Sequence, residues 1–285
     1  MDLVIGTIVG RWYVMLFGAV FLWRASRQMG WRNTWIYLGV SLVVGGVAEN
    51  GSVHAGFPYT TYAFDDALRD DELFLFDVPL MVPLSYGFMA YFAFAAGRLL
   101  AAGPFRTRAP RPWHELLVAW MLAVWALWIL DPVSRLGDEF YLGELFRYHG
   151  PGFWFGLPLG SQVGFAATAA VLLATLHWLD RDAPQGVVAG GLRDHPYTTA
   201  LITYHAQVFH LAAVAFWIGA DTIGGSALLM WVPVAVVTAV LWSQLRLQHE
   251  REAADAAHEP ARQALDGSGE LVRRPSRQHL LQQHP

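Results

Sequence analysis

A chain of 285 residues that is 55% hydrophobic and 15% charged, with 13 tryptophans and a mean hydropathy of +0.33, is too apolar and too aromatic for an ordinary water-soluble domain. It has no cysteine, which excludes disulfides, thiolate metal sites and cysteine nucleophiles. All 19 basic residues are arginine, so a lysine Schiff base and a P-loop lysine are excluded, and a net charge of −4 offers no basic face to nucleic acid.

Crossing the hydrocarbon core takes about 20 mostly apolar residues per helix. Seven runs of that kind follow one another: Leu3–Trp23, Thr34–Glu49, Val78–Ala102, Trp113–Leu130, Phe153–Leu179, Thr199–Ala220 and Ile223–Leu247. The expected fold is therefore an all-α integral membrane protein, a bundle of about seven transmembrane helices. The first run is long and lacks a small-residue cleavage site, so it counts as a span rather than a signal peptide. The fifth opens on GPGFWFGLPLGSQVG, whose glycines and prolines predict a broken or re-entrant segment. Irregular backbone at membrane depth survives only against protein or a water-filled cavity, which makes that stretch an expected pocket wall.

Arginines set the orientation. Fifteen lie in the loops after spans one, three and five and in the tail, and three (Arg69, Arg135, Arg147) in the alternate loops. The bias places the N-terminus outside and the C-terminus in the cytoplasm, in the cell's inner membrane. Residues 1–247 form the expected transmembrane domain. Residues 248–285 read as a polar cytoplasmic tail, amphipathic and then disordered.

Acidic residues collect on the outer side. The run Asp65, Asp66, Asp70, Asp71, Glu72 fits plain charge segregation. Glu49 and Asp131, each ending an apolar span, are different, because ionisable groups near the bilayer interior usually face a cavity or a partner. Arg11, inside the first run, calls for an acidic partner or a snorkelling path. Span six carries Thr203, Gln207, His210, Trp217 and Asp221 on one helical face. His205 and His210 stand about 140° apart on that helix, a poor metal pair. In span four Trp125, Trp128 and Asp131 step by three, either an interfacial tryptophan belt or a binding wall.

Two blocks carry a family resemblance. Glu49 with Gly51, Gly56, Pro58, Tyr59 and Tyr62, followed by Val78-Pro79 and Val82-Pro83-Leu84-Ser85, forms the first. Asp131-Pro132 followed by Phe153-Trp154-Phe155-Gly156-Leu157-Pro158-Leu159 and Gly164-Phe165 forms the second. Together they resemble the membrane carotenoid biosynthesis protein family, whose characterised members are carotenoid hydratases. Ser161 and Gln162 stand where that family's pattern has an asparagine and an aromatic residue.

The resemblance implies a lyase that hydrates a terminal double bond of an acyclic carotenoid, a terpene-derived polyene. That chemistry protonates an alkene, holds a tertiary carbocation and delivers water. A carboxyl in apolar surroundings resists ionisation and keeps its proton available, which makes Glu49 and Asp131 the candidate acids. Tyr59, Tyr62, Trp125, Trp128, Trp154, Phe155 and Trp217 are candidates for the substrate wall, and aromatic faces stabilise a desolvated cation by up to about 2 kcal/mol each. His54, His210 and Gln207 are candidates for positioning water or taking back the proton. The expected partner is a lipid-soluble polyene or isoprenoid within the membrane. The chemistry requires no cofactor, and the oligomeric state stays open.

Other chemistry fits parts of the chain. A terpene or carotenoid cyclase begins with the same protonation but excludes water. A prenyl diphosphate enzyme would hold magnesium on Asp65, Asp66, Asp70 and Asp71. A metal hydrolase recruiting His54, His205 and His210, and a transporter or receptor, complete the alternatives.

Overall fold

The computed structural model describes residues 2–102, 112–136, 145–181 and 197–270. Seven α-helical runs dominate: α1 (Leu3–Gly10), α2 (Trp12–Ala55), α3 (Met81–Ala102), α4 (Pro112–Ser134), α5 (Leu159–Leu179), α6 (Thr198–Trp217) and α7 (Asp221–Glu270). Two small antiparallel ribbons pair β1 (Tyr62–Phe64) with β4 (Phe146–Tyr148), and β2 (Phe74–Leu75) with β3 (Val78–Pro79). The chain is thus an all-helical, multi-pass membrane protein, and six of its helices are long and apolar enough to cross a bilayer.

At the centre stands α3, which packs against α2, α4, α5 and α6. Its segment Tyr91–Ala96 is fully buried and apolar on every side, as a helix surrounded by other helices must be. The outer helices instead turn Val43, Val47, Val163, Leu229 and Val236 outward. Such apolar outer faces suit lipid.

The first two predicted spans emerge as one 44-residue run, α2, with Gly30 held at φ 79°, ψ 159° inside it. Sixteen residues of straight helix extend about 24 Å, yet the rings of Phe21 and Tyr37 lie 6.0 Å apart. So α2 folds back on itself at Gly30, where glycine tolerates the positive φ, and the loop predicted between the two spans shrinks to a single glycine hinge. The first predicted span is itself broken at Arg11, where α1 stops and α2 begins.

The remaining helices keep close to their predicted bounds, with three changes. Residues 153–158 form a tight turn closed by Trp154 and Leu157, with Phe155 and Gly156 at positive φ, and α5 starts only at Leu159. Asp221 opens α7 rather than ending the sixth span. Finally, α7 runs on as one helix to Glu270, through the first part of the predicted tail; residues 271–285 of that tail lie outside the described residues.

Each end of the bundle buries charge. Near the Gly30 hinge, Arg98 on α3 donates from Nε to Glu115 Oε2 on α4 (3.2 Å), and from Nη1 to Asp180 and to the Tyr197 hydroxyl (3.0 Å). Gln28 reaches the same Asp180 carboxylate at 2.6 Å, and Tyr91 donates to Gln28 at 2.8 Å. At the opposite end Arg11 meets Glu72 through two nitrogens, at 2.8 and 3.0 Å. The Thr7 hydroxyl accepts the Leu73 amide at 2.8 Å. The acidic loop, whose sequence fits plain charge segregation, is strapped to the α1–α2 junction through Glu72.

Candidate active site

The site grows from the C-terminal end of α2. Glu49 is buried on its penultimate turn, and the helix closes at Gly56. Ser52 holds the returning chain by accepting the Tyr59 amide at 3.0 Å. That reversal brings Tyr62 back over Glu49, where its hydroxyl donates to Oε2. Tyr86, one turn into α3, donates to Oε1. Tyr86 gets there because Gly45 leaves room: a Cβ at that position would come within 2.7 Å of the Tyr86 ring. Both oxygens of Glu49 are thus occupied by phenols, and the residue is only 3% exposed.

Asp131 arrives from α4 and is treated differently. It precedes Pro132, which lies inside the helix. Proline has no N–H for the carbonyl four residues back, which is that of Trp128. The indole N–H of Trp154 supplies the missing donor at 3.1 Å. Arg135, one residue past the end of α4, donates to the Phe155 carbonyl and ties down the same turn. With its helical turn fixed in this way, the Asp131 carboxyl makes no hydrogen bond or ion pair with protein among the described residues. Glu49 lies near enough for the two carboxyls to act on one another electrostatically.

Both carboxyls face a cavity of about 190 Å³. Its roof is the β1–β4 ribbon. Side chains two apart on a strand share a face, and the register sets Tyr62 opposite Tyr148 and Phe64 opposite Phe146. All four rings line the cavity, with centroids 5.4 to 6.3 Å apart between neighbours. The walls are apolar, including Val14, Phe17, Met81, Phe88, Leu127 and Phe165, with Gln207 and His210 from α6 and Arg11 at the α1–α2 junction. Tyr59 also lines it and donates to Thr168 at 3.1 Å. Burial pushes the hydroxyls of Tyr59 and Tyr148 above the usual phenol range, so both stay protonated and able to donate. Tyr148 exchanges a 2.7 Å hydrogen bond with Ser161.

Of the predicted site residues, Glu49, Asp131, Tyr59, Tyr62, Gln207 and His210 converge on this one cavity. The others lie elsewhere. His54 pairs with Asp77 on the surface at 2.9 Å. Trp125 donates to the Met230 carbonyl at 2.7 Å, while Trp128 packs against Phe153 and Trp154. Trp154 and Phe155 belong to the turn that braces α4, and Trp217 is 75% exposed. His205 is held between Thr238 and Trp231 of α7, both at 3.0 Å, as an interhelical hydrogen bond. In the acidic loop Asp65 caps a short 3-10 helix, Asp66 pairs with Arg69 at 3.4 Å, and Asp70 and Asp71 are exposed. No three His, Asp or Glu among the described residues are placed to hold a metal.

Among the wall residues that the sequence does not single out are Tyr86, Phe64, Phe146 and Tyr148. The alternation Tyr62-Ala63-Phe64 and Phe146-Arg147-Tyr148 is a strand signal, but three residues of it against a helical background carry little weight. Tyr86 directly follows the Val82–Ser85 block and could have been reached from it.

A family model for carotenoid biosynthesis proteins matches residues 9–242, which takes in every residue of the cavity wall. No curated protein and no solved structure matches the chain. The match covers most of the chain, and the protein belongs to the carotenoid biosynthesis protein family, with a role in carotenoid metabolism within a membrane.

Proposed function

We propose that the protein is a membrane carotenoid hydratase, adding water across a terminal double bond of an acyclic carotenoid. The observation that carries this reading is Asp131, a carboxyl facing an apolar, aromatic-roofed cavity with no ion-pair or hydrogen-bond partner among the described residues. A carboxyl in such apolar surroundings, without a partner to favour its ionised form, suits a proton donor to an alkene. Glu49 has both oxygens taken by phenols, which suits a carboxyl held in a fixed position beside a developing cation.

The reaction then runs in two steps. Asp131 gives its proton to the less substituted alkene carbon, leaving a tertiary cation among the Tyr62, Phe64, Phe146 and Tyr148 rings. Water adds to the cation, and the proton it releases returns to a cavity carboxylate, restoring the acid. The apolar wall accommodates the polyene end, and the rest of the chain extends from the cavity. In the membrane we place seven crossings, counting the two arms of α2 separately, with the N-terminus outside, the C-terminus in the cytoplasm and residues 248–285 as a cytoplasmic extension.

Expression in a lycopene-producing bacterium with mass analysis of the pigments tests the reaction. A pigment heavier by one water is expected. An isomer of unchanged mass and altered retention would make the protein a cyclase instead, and unaltered pigment would exclude both.

A further inference from the structure

The end of the bundle at the Gly30 hinge carries cations besides the buried Arg98, and two hydrogen bonds gather them. Asn33, just past the hinge, donates to the Leu179 carbonyl at 3.0 Å, and Gln28, just before it, donates to Asp180 at 2.6 Å. The hinge is thereby joined to the C-terminal end of α5. Arg27, Arg32 and Arg181 each stand one residue from a member of that junction, and all three are exposed.

Their surroundings leave much of this charge unanswered. Arg27 and Arg32 make no ion pair among the described residues, and the carboxylates of Asp180 and Glu115 are already taken by Arg98. Arg27 and Arg181 lie at the C-terminal ends of helical runs, where a cation suits the dipole. Arg32 does not: it stands in the first turn after Gly30, where an acid is preferred, and residues 31–36 contain none. Exposed indoles accompany the cations. Arg24 and Arg27 lie over the Trp23 ring at 5.2 and 5.4 Å, Arg181 lies over Trp178 at 6.0 Å, and Trp31 stacks on Trp35 at 6.0 Å. A guanidinium resting on an indole keeps the N–H groups in its plane for an oxyanion. Exposed tryptophans in a membrane protein settle where acyl chains meet headgroups, so these arginines stand at phosphate level.

We propose that the hinge end is a binding site for an anionic phospholipid, with Arg27 and Arg32 on its phosphate, Arg181 beside them, and its acyl chains against the exposed indoles. Choline and ethanolamine lipids carry a cation of their own and gain less from such a site, whereas a phosphate without one is matched by the guanidiniums. The indoles fit a lipid rather than a free phosphate ion, which has no apolar part to set against them. A bound lipid would fasten the hinge to the end of α5 from outside, as Arg98 fastens the helices from within. The inference holds whatever reaction the cavity performs.

The test uses the full chain, purified in an uncharged detergent and stripped of lipid, then given phosphatidylglycerol, phosphatidylcholine or inorganic phosphate. Thermal unfolding and mass spectrometry of the intact complex are the readouts. Phosphatidylglycerol is expected to raise the unfolding midpoint by about 3 °C or more and to stay on the protein as a bound adduct. Phosphatidylcholine and inorganic phosphate are expected to do neither. Arg27→Gln/Arg32→Gln is expected to lose most of the shift and the adduct, while Arg246→Gln/Arg251→Gln, which removes the same charge further along α7, keeps both. A shift of equal size with phosphatidylcholine, or with inorganic phosphate alone, overturns the lipid site. So does a shift that the first double variant keeps or the second loses. If the first variant unfolds before any lipid is added, salt decides: the wild-type shift should fade as ionic strength rises, and a shift indifferent to salt overturns the part given to the arginines.

Discussion

At the end of the bundle near Gly30, Arg98 is surrounded by Glu115, Asp180, Tyr197 and, one step on, Gln28 and Tyr91. At the other end Glu49 meets two tyrosines and Asp131 meets no protein partner among the described residues. Five helical segments contribute to each site, and both bury carboxyls. The difference is what the cation pairs with: Arg98 is bound to the carboxylates around it, whereas Arg11, in the cavity wall, is paired with Glu72 and not with Glu49 or Asp131. A buried charge paired with an opposite one is a joint between helices, and removing one partner leaves the rest stranded. A buried carboxyl without a cation adds little to the joint and is free to exchange a proton. The knot at the first end holds the bundle; the cavity at the second end is where the proposed chemistry takes place.

The sharpest way to break this comparison is to neutralise one group at each end. Asp131→Asn is expected to lower carotenoid conversion by about 10² to 10⁴, the range for losing a general acid, with thermal unfolding in detergent changed little. Glu49→Gln is expected to lower conversion as well, since it replaces the carboxyl held in place by Tyr62 and Tyr86. Full conversion by Asp131→Asn would remove it as the proton donor. Arg98→Met should behave in the opposite way, destabilising the protein by about 3–5 kcal/mol by stranding Glu115 and Asp180. Replacing all three with apolar residues of similar volume should recover most of that loss. If Arg98→Met unfolds no more easily than the wild type, the knot is not the joint described here.

How much of this was legible beforehand depends on the range of the interactions. Helices came through because twenty apolar residues in a row leave few alternatives, and Glu49, Asp131, Gln207 and His210 stood out because polar groups in such runs need a reason. What the chain did not disclose were contacts between distant stretches. Arg98 and Asp180 lie 82 residues apart, Arg11 and Glu72 lie 61 apart, and neither pairing has a local signature. The aromatic roof was missed for a related reason, since three-residue strands become recognisable only when Phe64 and Phe146 are seen opposite one another. Residue type alone does not place the tryptophans: Trp125 and Trp128 suit a tryptophan belt or a binding wall equally, and the contacts of Trp125, Trp128 and Trp154 are with neighbouring helices and turns.

Trp154 offers the finest test, because its indole answers a defect made by another residue. Pro132 denies the Trp128 carbonyl its helical donor, and the Trp154 N–H replaces it at 3.1 Å. Trp154→Phe should therefore cost about 1–3 kcal/mol, the price of an unsatisfied buried carbonyl. In a chain that also carries Pro132→Ala the cost should shrink, because alanine returns an N–H to the helix. The two changes should couple by about 1 kcal/mol in a double-mutant cycle read from unfolding in detergent. Independent, additive effects would sever the link between the two parts of the second signature block. The straightened helix carries a second consequence: without the proline, the last turn of α4 is free to re-aim Asp131. Pro132→Ala is then expected to unfold no more easily than the wild type and yet convert less carotenoid, since what the proline secures is the direction of the carboxyl rather than the strength of the helix.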